Sequence, residues 1–154
     1  MMLIVFFDSQ GNLHKEFVQE SCTVNGEYYK GVLDRLILRI RRVRPALYCT
    51  REFFLLHEKA PAHSAAKIRR FLTQKQVATL NHPPYSPGLS PSDYFLFPKV
   101  KLQLKDARFG TIEEIQKAVT DQLNKIPAED FCNAMKKMET RANLCITSNG
   151  SYFE

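Results

Sequence analysis

Between His82 and Pro91 the chain carries four prolines and two serines. Proline has no amide hydrogen to donate, and it pushes its predecessor towards extended backbone. This stretch must therefore be extended or turned, and the periodic elements have to lie on either side of it.

Upstream, residues 2 to 8 and 12 to 19 are strand-like runs flanking Asp8-Ser9-Gln10-Gly11, which predicts a β-hairpin. Thr23 or Asn25 can cap a helix that runs to about Arg44, where Pro45 is expected to stop it. Tyr29, Val32, Leu33, Leu36, Ile40 and Val43 share one face of that helix, with Arg35, Arg41 and Arg42 on the other. Glu52 to His57 reads as a short strand buried on both sides. Pro61 opens a helix through roughly Lys75, and Val77 to Leu80 reads as a further strand.

Downstream, Ser92 or Asp93 begins a helix that contains Pro98, tolerable early and kinking otherwise. Thr111-Ile-Glu-Glu114 is a capping box for a helix with Ile112, Ile115, Val119, Leu123 and Ile126 on one stripe. Pro127 starts the last helix, whose stripe of Phe131, Ala134, Met135, Met138, Ala142 and Cys145 is core packing. Ser148-Asn149-Gly150 can end it in a left-handed cap. Strands followed by alternating strands and helices define an α/β chain, read as a single domain over 1–154.

No apolar run reaches the roughly 20 residues of a membrane helix, and no membrane partner is expected. The apolar start, Met1 to Phe7, is too short for a signal peptide and lacks a basic lead. Cys22, Cys49, Cys132 and Cys145 have neither C-x-x-C nor zinc-like spacing, so they read as reduced, idle thiols. The formal charge of +6 admits a polyanionic partner, because neutralised phosphates release counterions.

Two segments can carry chemistry: Leu56-His57-Glu58-Lys59-Ala60-Pro61-Ala62-His63, and His82 through Tyr94. They offer a carboxylate at a strand end and another at a helix start, the oxygen donors that Mg²⁺ or Mn²⁺ requires. Glu58 and Asp93 are separated by 34 residues, positions 59 to 92. The segments resemble the mariner branch of the Tc1/mariner transposases. That branch carries His-Asp-Asn-Ala-x-x-His, then Tyr-Ser-Pro-Asp-Leu-x-Pro-x-Asp-Tyr, with the same separation between its two acids. Val5-Phe6-Phe7-Asp8, Thr23-Val24-Asn25 and Ser148 to Phe153 match as well.

The resemblance implies a ribonuclease H-like mixed sheet with flanking helices, and metal-dependent DNA nicking and strand transfer. Two divalent ions, Mg²⁺ or Mn²⁺, would clamp the attacking and leaving oxygens of a phosphodiester. Three carboxylates hold them in the family; Glu58 stands at the second position and Asp93 at the third. The first belongs to a strand upstream of the one with which this chain begins, so the domain is read as truncated, its first strand missing and two strand edges left unpaired. Asp8 matches an acid at the family's hairpin turn rather than a ligand, and His57 reads as a packing residue.

Four departures bear on activity. The first acid has no counterpart, Glu58 is one methylene longer than Asp, Lys59 stands where the family has Asn, and Gly88 replaces an Asp. The leading expectation is an inactive transposase catalytic-domain fragment. The alternatives are a recruited nucleic-acid-binding or scaffold protein, and a nuclease that takes its missing acid from another chain. Arg35, Arg41, Arg42, Lys99, Lys101 and Lys105 are the expected contacts to DNA, weak and indifferent to sequence. The resemblance also implies a nuclear location and admits a homodimer.

Overall fold

A computed structural model describes residues 1–57, 66–80 and 86–147. The chain divides into two compact units: Met1–Phe6 with Leu13–Pro84, and Phe7–Asn12 with Tyr85–Glu154. A hairpin of β1 (Met2–Asp8) and β2 (Gly11–Val18) contributes to both. Its two-residue link closes through the Asp8 side chain, which accepts from the Gln10 amide at 2.9 Å. Gly11 follows at φ +128°, a conformation that side-chain-bearing residues avoid.

The first unit is organised by α1 (Gly26–Val43), capped by Asn25, whose side chain accepts from the Tyr28 amide. Tyr29, Val32, Leu33, Leu36, Ile37 and Ile40 form its buried stripe. They pack with Ile68, Phe71 and Leu72 of α3 (Ala66–Gln74). Ile4, Phe6 and Leu13 of the hairpin close the cluster from another side. Full burial of each such side chain stabilises by about 1.5–3 kcal/mol, so this stripe dominates the unit.

Pro45 does end α1, but it also opens a short helix, α2 (Pro45–Thr50), that the sequence reading did not anticipate. Proline is suited to a first helical turn because its missing N–H would have had no partner there. The strand expected over Glu52 to His57 is shorter, β3 (Phe54–Leu56), pairing in parallel with β4 (Ala78–Leu80). It is not buried on both faces. Phe53 and Leu55 pack on the core while Phe54 is 63% exposed, the period-two alternation of a half-covered strand. The described strands form two separate two-stranded ladders rather than one mixed sheet, because none of them pairs with both the hairpin and β3.

In the second unit, a 3₁₀ turn (Pro87–Leu89) leads to a π-turn (Ser92–Leu96), then α4 (Phe97–Leu104), α5 (Ile112–Lys125) and α6 (Ala128–Thr147). The capping box forms, with Thr111 accepting from the Glu114 amide and Glu114 reaching back to the Gly110 amide. Leu96, Val100, Val119, Leu123, Phe131 and Ala134 are its buried apolar residues, and Phe7 and Phe95 meet Phe131 ring to ring. The proposed cap at Ser148 to Gly150 lies outside the described residues, as does the start of the helix expected from Pro61.

Leu33 is 1% exposed and Leu38, five residues along the same helix, is 57% exposed. Leu33→Ala should cost roughly 2–5 kcal/mol of unfolding free energy in urea, and Leu38→Ala less than about 0.5 kcal/mol. Equal losses at the two positions would refute this assignment of the core.

Candidate active site

Asp93 is the expected acid whose surroundings the structure describes; Glu58, Lys59 and His63 lie outside the described residues. Pro91 cannot donate, so the turn around Asp93 uses other groups. The Ser90 carbonyl accepts from both the Asp93 amide at 2.9 Å and the Tyr94 amide at 3.0 Å. The Phe97 amide then bonds back five residues to the Ser92 carbonyl. Pro98 accounts for that wide turn, since it has no N–H for the Tyr94 carbonyl and its ring crowds that oxygen. The sequence expectation of an early, tolerated proline holds, with a π-turn as its local cost. Leu96, fully buried, anchors the end of this turn.

The Asp93 carboxylate is half-exposed. Its neighbour Tyr94 is tied to α6 at three points. The Tyr94 hydroxyl donates to the Ala134 carbonyl at 2.5 Å, Lys137 lies 5.9 Å from the ring centre, and the Arg141 guanidinium lies 4.5 Å from it. Burial pushes the Tyr94 phenol up to about 12, against a smaller opposing influence of Arg141. It therefore stays protonated and donating at neutral pH. Arg141 also donates through Nη1 to the Gly88 carbonyl at 3.4 Å, while its Nε is buried without a partner.

Sequence reasoning missed Arg141. The signal was present: 134, 138, 141 and 145 share one helical face, so a cation at 141 interrupts an otherwise apolar stripe. Beside this contact an open cavity of about 300 Å³ is lined by Tyr94, Phe95, Lys99, Asp130, Asn133 and Lys137.

The expected DNA contacts fare unevenly. Arg35 makes a two-pronged ion pair with Glu16, Nη2 to Oε1 at 2.7 Å and Nε to Oε2 at 3.0 Å. Lys99 is paired with Asp130 at 2.5 Å. Arg41 and Arg42 stand exposed in the last turn of α1, where they also offset the negative end of the helix dipole, and Arg41 lies over Tyr48. Lys101 and Lys105 are exposed, at and just beyond the end of α4. The two groups belong to different units.

His57, read as a packing residue, stacks on Tyr29 with a ring separation of 5.8 Å, and the Tyr29 hydroxyl lies 3.0 Å from His57 Nδ1. Burial raises the Tyr29 phenol far above its ordinary value, so the hydroxyl keeps its proton in this bond. The histidine is thereby oriented at the end of β3, one residue before Glu58.

Superposition on solved structures gives the class, the catalytic domain of a ribonuclease H-like fold. Comparison with known proteins identifies the branch. A family model described as a transposase, partial DDE domain, matches residues 1–49. The chain is 32% identical to the mariner Mos1 transposase of Drosophila mauritiana, over 99% of this chain and 45% of that protein. It is 26% identical to the human histone-lysine N-methyltransferase SETMAR, over 100% of this chain and 22% of that protein. The crystal structure of the Mos1 catalytic domain superposes with a TM-score of 0.91 at 32% identity, covering 99% of this chain and 75% of that one. A Mos1 paired-end complex with Mn gives a TM-score of 0.93 at 32% identity, covering 99% of this chain and 44% of that one. The chain belongs to the mariner transposases and corresponds to their ribonuclease H-like catalytic domain. It spans less than half the length of the curated relatives it matches.

Two stability predictions follow from the geometry. Burial, the largest influence, pushes the Glu16 carboxyl up, but the bonds from Arg35 and His14 outweigh it and bring the group below its ordinary value. The pair should therefore stabilise the fold above the ordinary carboxylate range and lose that contribution as acid takes the pH below it. Arg35→Ala should flatten this part of the stability-against-pH curve; an unchanged slope would disprove the linkage. At position 88, the backbone is not in the left-handed region, so glycine is not required there. Gly88→Asp should add an acceptor for the unpaired Arg141 Nε and raise stability by roughly 1 kcal/mol. A double-mutant cycle checks it: the gain should vanish beside Arg141→Ala.

Proposed function

We propose that this chain is a mariner-type catalytic domain that keeps the fold and the third-position carboxylate but does not cleave DNA, and that it grips nucleic acid through phosphates. The observation that carries this reading is the pair Glu58-Lys59, standing where the family signature has Asp-Asn. Catalytic constellations tolerate displacements of about 0.5 Å, and one extra methylene moves a carboxylate further than that.

The catalytic domain of Mos1 has been solved with Mg and with Mn. For such an ion the donor type at Asp93 is right, a half-exposed carboxylate on a well-bonded turn. The full set is not. At the second position Glu58 is one methylene longer than the family's Asp, and Lys59 brings a cation where the family has Asn. Mg²⁺ sheds its waters reluctantly and demands near-ideal octahedral geometry. The residues of this chain do not fit a two-metal centre, and no chemical step is assigned to one.

A non-enzymatic DNA-holding role is favoured by the net charge of +6 and by exposed Arg41, Arg42, Lys101 and Lys105. Phosphate contacts of this kind position a duplex without reading its bases. Mos1 forms paired-end complexes, and a second copy of this chain is the protein partner the reading admits; a nuclear location follows from DNA as the ligand.

Incubated with supercoiled plasmid and Mg²⁺ or Mn²⁺, the purified chain should leave the plasmid intact. Nicking that disappears in Asp93→Ala would overturn the proposal. Duplex binding should be indifferent to sequence and fall steeply with salt, and Arg41→Ala with Arg42→Ala should weaken it and reduce the salt slope by about 2. Binding that survives high salt, or that selects one sequence, would contradict a phosphate grip.

A further inference from the structure

We propose that Arg141 is a positioning residue for Asp93, setting the carboxylate's place from helix α6. The proposal rests on reading Asp93 as the retained carboxylate of the site, and goes beyond it by naming what holds that carboxylate in register.

The turn that carries Asp93 is bonded locally: Leu89 to Ser86, Ser90 to Pro87, Asp93 and Tyr94 to Ser90, and Phe97 to Ser92. Pro87, Pro91 and Pro98 donate none, and the Ser90 carbonyl serves two amides at once. Those bonds lie within the segment, and side chains tie it to α6. Arg141 reaches both ends of it. Its guanidinium plane lies over the Tyr94 ring, one residue after Asp93, and its Nη1 bonds the Gly88 carbonyl, five residues before Asp93. One planar, always-charged group thus spans the segment on either side of the acid, a geometry that a lysine ammonium cannot reproduce.

The rest of α6 supports the same grip. Ala134 accepts from the Tyr94 hydroxyl, and Phe131 packs edge-on against Phe95. These contacts hold the downstream side. Among the described residues, Arg141 is the side chain with a hydrogen bond to the upstream 3₁₀ turn at Gly88. Removal of Arg141 should therefore loosen the upstream side first and leave the downstream side partly held.

Amide hydrogen exchange on the full chain tests this without relying on metal or cleavage. The amides to follow are Leu89 and Ser90 upstream, Asp93 and Tyr94 at the acid, and Val119 and Leu123 in α5 as an internal reference. In Arg141→Ala, Leu89 and Ser90 should exchange about tenfold faster relative to the α5 amides, with a smaller rise at Asp93 and Tyr94. Arg141→Lys should recover Tyr94, because a cation remains over the ring, but leave Leu89 and Ser90 fast. If Arg141→Ala does not fold, the lysine variant alone decides. Exchange that rises uniformly through the unit, or does not rise at Leu89 and Ser90, overturns the proposal. A plasmid-nicking result leaves this test untouched, so failure of the functional reading and failure of the positioning role are separable.

Discussion

Prolines at 87, 91 and 98 remove backbone donors from the stretch of chain that carries Asp93, and side chains of α6 reach in around it. Helix interiors satisfy their own donors and acceptors; this segment, with fewer donors, combines short local bonds with side chains from outside. The deficit is met by sharing the Ser90 carbonyl, by a π-turn bond from Phe97 to Ser92, and by side chains reaching in from α6. The same prolines give stiffness. Each fixes its own φ, so fewer backbone degrees of freedom remain to be frozen, and a few external contacts suffice. Wide turns of this type recur at functional sites because they re-aim one side chain without ending the helix.

The first unit follows a different logic. Its stability is concentrated in one helix whose apolar stripe is contacted by both hairpin strands and by α3. Polar ties fasten the edges: Arg35 grips Glu16 and Arg39 donates to the Leu13 carbonyl, both joining α1 to β2. Lys67 pairs with Glu27 to join α3 to the start of α1. That last pair is exposed on both sides and adds little, whereas the stripe beneath it excludes water. The arginine face of α1 is accordingly mixed in purpose. Arg35 and Arg39 are occupied in holding the hairpin, and the cations best placed for an external polyanion are Arg41 and Arg42 at the helix end.

Much of this was legible in the sequence because it depends on local period and on punctuation. The hairpin at Asp8 to Gly11, the Asn25 cap, the α1 stripe and the Thr111 box are short-range patterns, and each formed. What escaped depended on tertiary context. Pro45 was read as a stop, yet the same lack of an N–H that ends one helix suits the first turn of the next. Glu52 to His57 is apolar throughout, but whether a strand is covered on one face or two depends on which strands lie beside it, and composition does not carry that information. Arg141 was overlooked because a lone cation on an apolar stripe is invisible to a count of hydrophobic positions. The resemblance to mariner transposases supplied the assignment of Glu58 and Asp93; spacing alone would have left two carboxylates among sixteen acidic residues.

The packing of this domain and the chemistry of its family depend on different residues. None of the residues in the α1 cluster, and none that ties the Asp93 turn to α6, is a carboxylate that would hold a metal. The cost of losing such acids to a two-metal reaction is the loss of its Lewis acid and its activated nucleophile together. The asymmetry has a structural root: clusters of acids repel one another and contribute nothing to packing, so a fold gains no stability from keeping them. Selection on cleavage alone maintains such a cluster. The α1 stripe and the ties from α6 are maintained by stability, independently of those acids.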